Sequence, residues 1–196
     1  MPQAHFSMHA DDSEPEPPAE PSKPVSVSIL NEAPDMRPEA VSWLQVYADR
    51  AVNTIDRGGE VRVRIVGDDA MSALHAKYKD DPETTDVLTF DLADGASVGG
   101  ADLDVDLIVC ADEAARRGAE LGHTPECELL LYVVHGLMHC LGHDDQDPSA
   151  ADAMHRAEDD LLESIGVGRV YAPRAASGLA PSMASDDSGT AEERVK

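Results

Sequence analysis

The 196-residue chain has few aromatic rings, little positive charge and little cysteine. One Trp, four Tyr and two Phe leave few rings on which unpaired bases could stack. Fifteen Lys and Arg face 39 Asp and Glu, a formal charge of −24 that repels phosphate and argues against a free-standing nucleic-acid-binding surface. The longest uninterrupted apolar run, Leu129 to Val134, is far too short to cross a bilayer, so the chain reads as soluble with no membrane partner. Met1 to Glu20 has neither a basic stretch nor an apolar one and is instead acidic and proline-rich; nothing there reads as a secretion signal, which makes the cytoplasm the expected location. Cys110, Cys127 and Cys140 cannot all pair within one chain and no two of them sit at zinc-knuckle spacing, so they read as reduced thiols, mostly in the core.

What remains is a globular balance of 42% hydrophobic and 28% charged residues, enough for one domain with tails. Residues 1–24 hold five acids, one base and repeated prolines, with too few apolar groups to offset chain entropy, and read as a disordered tail. Residues 173–196, rich in Ala, Ser, Gly and charge without periodicity, read as a second disordered tail, which leaves a domain over 25–172. The tails carry −4 and −1, so the domain itself stays near −19.

Within it, alternation predicts strands at Val25–Ile29, Glu60–Val66, Asp86–Phe90 and Leu103–Val109, the last two joined by a turn through Gly95, Gly99 and Gly100. Helical spacing predicts helices over Pro38–Ile55, closed by Gly58-Gly59, and from Asp68 or Asp69 as cap to Tyr78. Three more follow at Asp112–Leu121, Pro125–Leu141 and Pro148–Ile165. The fold class is α+β: one domain, a mixed sheet of about four strands and about five helices.

The most informative stretch runs from Val133 to Asp145. His135 and His139 stand four residues apart in a strongly apolar helix, so both imidazoles lie on one face, one turn apart. A bare pair of this kind is equally consistent with hydrogen-bonded core histidines. Burying two of them costs free energy unless their nitrogens are satisfied, and Gly142 then lets the chain double back so that His143, Asp144 or Asp145 approaches the same ion. Two histidines, one carboxylate and an open position make a catalytic zinc set. His5 and His9 share the spacing without a burying helix and carry no metal reading.

His135-Gly-Leu-Met-His-Cys-Leu-Gly-His-Asp-Asp145 resembles the signature of the YbeY family, metal-dependent endoribonucleases that mature bacterial ribosomal RNA. Thr85-Asp-Val-Leu-Thr-Phe90, Leu107-Ile-Val-Cys110 and Glu120-Leu-Gly-His-Thr-Pro125 resemble further blocks of that family, so the likeness covers roughly residues 25–170. It implies a zincin-like metal helix and one Zn2+ per chain, with His135 and His139 as the first two ligands. The family's third histidine falls on Asp145 and its tyrosine on His143. A carboxylate can replace the third imidazole, so Asp145 is the preferred third ligand, with His143 the alternative and Asp144 behind both. Lys79 stands where the family has arginine, keeping the charge without the bidentate fork for phosphate.

The glutamate that zinc peptidases place directly after the first histidine is replaced by Gly136, which counts against peptide hydrolysis. The expected chemistry is therefore phosphodiester cleavage in single-stranded RNA of the small-subunit precursor, with Lys79, His135 and His143 assigned to catalysis: Lys79 steadies negative charge and a free His143 moves a proton. His123 and His155 are weaker candidates, read as surface residues; Asp86 reads as a cap or a partner of a site residue, and Arg62 and Arg64 as a solvated sheet face. The acidic surface is reconciled with RNA by a local basic cleft, by delivery through a ribosomal protein or assembly GTPase, or by a salt-adapted host. The alternatives are a non-catalytic ribosome-assembly factor with a structural metal and a metallohydrolase of another substrate.

Overall fold

The computed structural model describes residues 24–93 and 102–171; both tail readings, the His5/His9 pair and the glycine-rich turn lie outside the described residues. The element order is β1 (Val25–Asn31), α1 (Pro38–Val52), β2 (Gly59–Val66), α2 (Asp68–Lys79), β3 (Val87–Asp91), β4 (Leu103–Cys110), α3 (Ala111–Leu121), α4 (Pro125–Cys140) and α5 (Pro148–Ser164). The sheet order is β1-β2-β4-β3, with β1, β2 and β4 parallel and β3 antiparallel to β4. It is the α+β mixed sheet that the alternation predicted.

Alternation divides the sheet into two faces. Val61, Val63, Ile65, Val105, Leu107 and Val109 join the main core with α1 and α4, while Val66, Ile108 and Cys110 form a smaller core with Met71 and Leu74 of α2. α4 is buried almost all round, from Leu129 to Val134 and from Gly136 to Met138, between sheet, α1, α3 and α5. Gly136 is where it presses closest: a Cβ there would lie 2.6 Å from Leu107 Cδ2 and 2.8 Å from Thr89 Oγ1. The residue that spoke against a peptidase glutamate thus has a packing reason as well.

Some boundaries move. α1 ends at Val52 with Asn53 as cap, because the last apolar residue of its pattern, Ile55, lies in the turn that follows. Gly59 does not close that helix but opens β2 at φ 127°, where a Cβ would collide with the Leu103 backbone. The cap of α2 is Gly67, not Asp68 or Asp69: the Asp68 carboxylate is taken by Arg116, which forks onto both of its oxygens at 2.6 and 2.8 Å, and by the Cys110 thiol and Thr84 hydroxyl. Cys110 and Cys140 are buried and Cys127 half-buried, all three unbridged. Among the described residues no helix is long and apolar enough to cross a membrane.

Hydrogen bonds from Arg116, opposed by burial, hold the Asp68 carboxyl below its ordinary value of 3.8. A carboxylate so depressed adds stability above that ordinary value and loses it as pH falls through the lowered one. Arg116→Ala is expected to cost about 1 kcal/mol or less at neutral pH, since the pair is partly exposed, and the gap to wild type should close on acidification below about pH 3; a pH-independent gap in urea unfolding would contradict it. Gly136→Ala sets a helix-propensity gain of about 1 kcal/mol against overpacking of about 1–3 kcal/mol. A net loss is expected in the same assay, and a raised midpoint would show that Leu107 and Thr89 repack freely.

Candidate metal centre

The site is assembled by the end of α4 and the loop after it. Thr124 caps the start of α4, its hydroxyl accepting from Cys127 N, and Pro125 follows as the first helical residue. At the other end Gly142, at φ 93°, closes a two-bond cap: Gly142 N donates to His139 O and His143 N to Met138 O, each at 3.0 Å. Asp144 then accepts from Asp145 N and Gln146 N, and Asp147 caps α5 by accepting from Ser149 N and Ala150 N. Each turn of residues 141–147 is thereby pinned, and the chain is turned back over the helix it has just left.

The result is a convergence of three donor atoms. His135 Nε2 and His139 Nε2 lie 3.2 Å apart, and Asp145 Oδ2 lies 3.8 and 3.9 Å from them. Among the described residues this is the one group of three or more His, Cys, Asp or Glu side chains close enough to share an ion. Tetrahedral ligands at about 2.0–2.2 Å from a metal are separated by about 3.3–3.6 Å, close to the edges of this triangle.

The remaining ring nitrogens are also spoken for. His135 Nδ1 lies 2.8 Å from Glu158 Oε1, and His139 Nδ1 lies 3.3 Å from the His143 carbonyl. When both rings carry their proton on Nδ1, donating to Glu158 and to the His143 carbonyl, the two Nε2 lone pairs converge on a point that a cation can share. Burial depresses the His135 pKa, but the hydrogen bond and charge of Glu158, aided by Asp86 and Asp145, outweigh burial and raise it overall. The donor set, its spacing and the orientation of both rings all fit a divalent ion.

A cleft of about 390 Å³ opens on this group, lined by His135, His139, Cys140, the β3 residues and Lys79. Lys79 is exposed at the end of α2. Among the described residues it is the only lysine or arginine in the lining, against Asp86 and Asp91, so these residues do not make the cleft a concealed basic groove. Asp86 is no helix cap: it accepts from Thr85 Oγ1 and Val87 N at the entry of β3. The His143 side chain is exposed and outside the three-atom group; only its carbonyl reaches the site. Arg62 is absorbed by Glu60, Asp104 and Asp106, and Arg64 by Glu32, on the sheet face away from α4, as a solvated face would have it.

Two expectations are corrected. His123 and His155 are not free surface residues: His123 lies 2.5 Å from the buried Glu128 carboxylate at the other end of α4, and the His155 ring stacks on Tyr171 with centroids 3.9 Å apart. The residue missed by sequence reasoning is Glu158. Its signal was available, because it is the charged member of the stripe Met154, Glu158, Leu162, spaced at one helical turn and fully buried along α5.

Residues 29–166 match the family described as endoribonuclease YbeY. The chain is 36% identical over 139 residues to an endoribonuclease YbeY of Halorhodospira halophila, covering 70% of this chain and 90% of that one. It is 30% identical over 149 residues to that of Lysinibacillus sphaericus, covering 71% and 92%. The solution structure of TM1509 from Thermotoga maritima shares the fold, with a TM-score of 0.51 at 24% identity over 71% of this chain and 89% of that one. With its metal-ready helix and the matched span enclosing every element from α1 to α5, the chain belongs to the endoribonuclease YbeY family, a family of nucleases acting on phosphodiester bonds.

Proposed function

We propose that this protein is a zinc-dependent endoribonuclease that cuts single-stranded ribosomal RNA during small-subunit maturation in the cytoplasm. The observation that carries the reading is the convergence of His135 Nε2, His139 Nε2 and Asp145 Oδ2, with both histidines lining a cleft that Lys79 also lines, in a chain whose relatives are named endoribonucleases. Two imidazoles and one carboxylate with an open position suit Zn2+, and these three side chains would hold one ion per chain. When bound, such an ion polarises a phosphoryl oxygen and lowers the pKa of bound water.

The protein's own groups do the rest. Lys79 stands at the cleft wall, where an ammonium steadies the charge that develops on a phosphate under attack. Asp86 and Asp91 oppose it across the lining, so the lysine alone is a weak anchor for a polyanion, and delivery by a ribosomal protein or assembly GTPase supplies the missing affinity. His143, exposed beside the ligand loop, is the group placed to carry a proton to or from solvent. Gly136, in the place of a peptidase's general base, favours a phosphodiester over a peptide substrate.

The test is cleavage of a small-subunit precursor RNA by zinc-loaded protein. Single strands are expected to be cut and duplexes spared, with activity lost on chelation and in His135→Ala while the circular-dichroism spectrum is kept. Lys79→Ala should lower kcat/KM by about 10–10³-fold, and Lys79→Arg should retain most of it. Cleavage that survives chelation, or that survives in His135→Ala, would contradict the reading.

A further inference from the structure

We propose that Glu158 is the positioning residue of the metal centre: from a neighbouring helix it holds His135 in the tautomer protonated at Nδ1, with the Nε2 lone pair aimed at His139 and Asp145. The inference rests on the reading that these three side chains take up an ion.

Three observations carry it. Glu158 is 0% exposed on α5, and its Oε1 lies 2.8 Å from His135 Nδ1. The rest of the carboxylate is buried, with the Tyr171 side chain as a further polar neighbour. Its neighbours one turn away on the same helix face, Met154 and Leu162, are 1% and 0% exposed and wholly apolar. A position that served packing alone would be filled by another apolar residue, because burying a carboxylate without a cationic partner costs stability. What this carboxylate does instead is accept the Nδ1 proton. A neutral imidazole can carry its single proton on either nitrogen, and a proton on Nε2 would occupy the lone pair that an ion needs. The carboxylate also makes the opposite nitrogen a stronger donor.

The two imidazoles are oriented by unlike partners. His139 is held by the His143 carbonyl within the ligand loop itself, whereas His135 depends on a side chain 23 residues further along the chain. Packing of α5 on α4 therefore becomes a condition of metal affinity and not only of fold stability. With Asp145 as ligand and Glu158 behind His135, two negative charges face the divalent ion, which accounts for a buried carboxylate at a place where no arginine or lysine pairs with it.

The experiment measures zinc affinity by competition with a chromophoric chelator, at pH 8, for wild type, Glu158→Gln and Glu158→Leu, beside thermal unfolding of each metal-free protein. Glu158→Gln keeps an acceptor for Nδ1 without the charge and is expected to bind zinc about 10-fold more weakly, and Glu158→Leu up to about 100-fold more weakly. The metal-free Glu158→Gln protein should melt within a few degrees of wild type. Imidazole nitrogen NMR of the metal-free proteins should show His135 protonated at Nδ1 in wild type and in Glu158→Gln, and a tautomer mixture in Glu158→Leu. Unchanged affinity in both variants with a zinc-binding wild type would overturn this inference alone. An affinity loss in Glu158→Gln matched by loss of its metal-free fold would overturn it in favour of a structural role. A wild type that binds no zinc would overturn both this inference and the functional reading beneath it.

Discussion

Two imidazole nitrogens held 3.2 Å apart on a buried helix are the constraint around which the rest of this structure is arranged. At that distance one proton between them makes an N–H···N hydrogen bond, whereas two rings protonated at Nδ1 turn both lone pairs toward a shared cation. Each ring is anchored from behind, His135 by Glu158 and His139 by the carbonyl of His143. Those anchors need the left-handed turn at Gly142, the pinned loop that follows and a fifth helix laid against the fourth. The helix bearing them must in turn press close on the sheet, which is why Gly136 meets Leu107 and Thr89 where any side chain would intrude.

The same constraint resolves the charge problem. A chain of −24 is a poor host for RNA, and the cleft at the histidines does not relieve it: the arginines of the sheet face are consumed by their own acidic neighbours, and among the described residues a single lysine lines the cleft. A divalent ion is the strongest positive charge such a cleft could acquire, and it would sit where the scissile phosphate must come. On the proposed reading, positive charge would be placed at the point of chemistry and not spread over a binding surface, and long-range attraction would fall to a partner.

Much of this was legible in the sequence. Every strand and helix follows from alternation or helical spacing, and the metal helix is marked by its apolar length, its histidine spacing and the glycine after it. Asp145 and Lys79 were reached by position against a family pattern; Asp145 lies beside the two histidine nitrogens, and Lys79 lines the cleft that the histidines open on. What escaped is tertiary. The His123–Glu128 and His135–Glu158 pairs join residues by packing of helix ends and helix faces, and a histidine in a polar stretch looks the same in sequence whether it meets water or a buried carboxylate. The end of α1 and the cap of α2 were displaced for a similar reason: Asp68 had a better partner in Arg116, 48 residues away, than in its own helix.

The identity of the third ligand decides the account most directly, because it separates a site built by the turned-back loop from a simple pair of helix histidines. X-ray absorption spectroscopy of the zinc-loaded protein, with Asp145→Ala and His143→Ala alongside, reads the ligand set. One ion per chain with two imidazoles and one carboxylate, unchanged in His143→Ala and degraded in Asp145→Ala, is the expected result. Three imidazoles around the ion, or no bound zinc in the wild type, would contradict it.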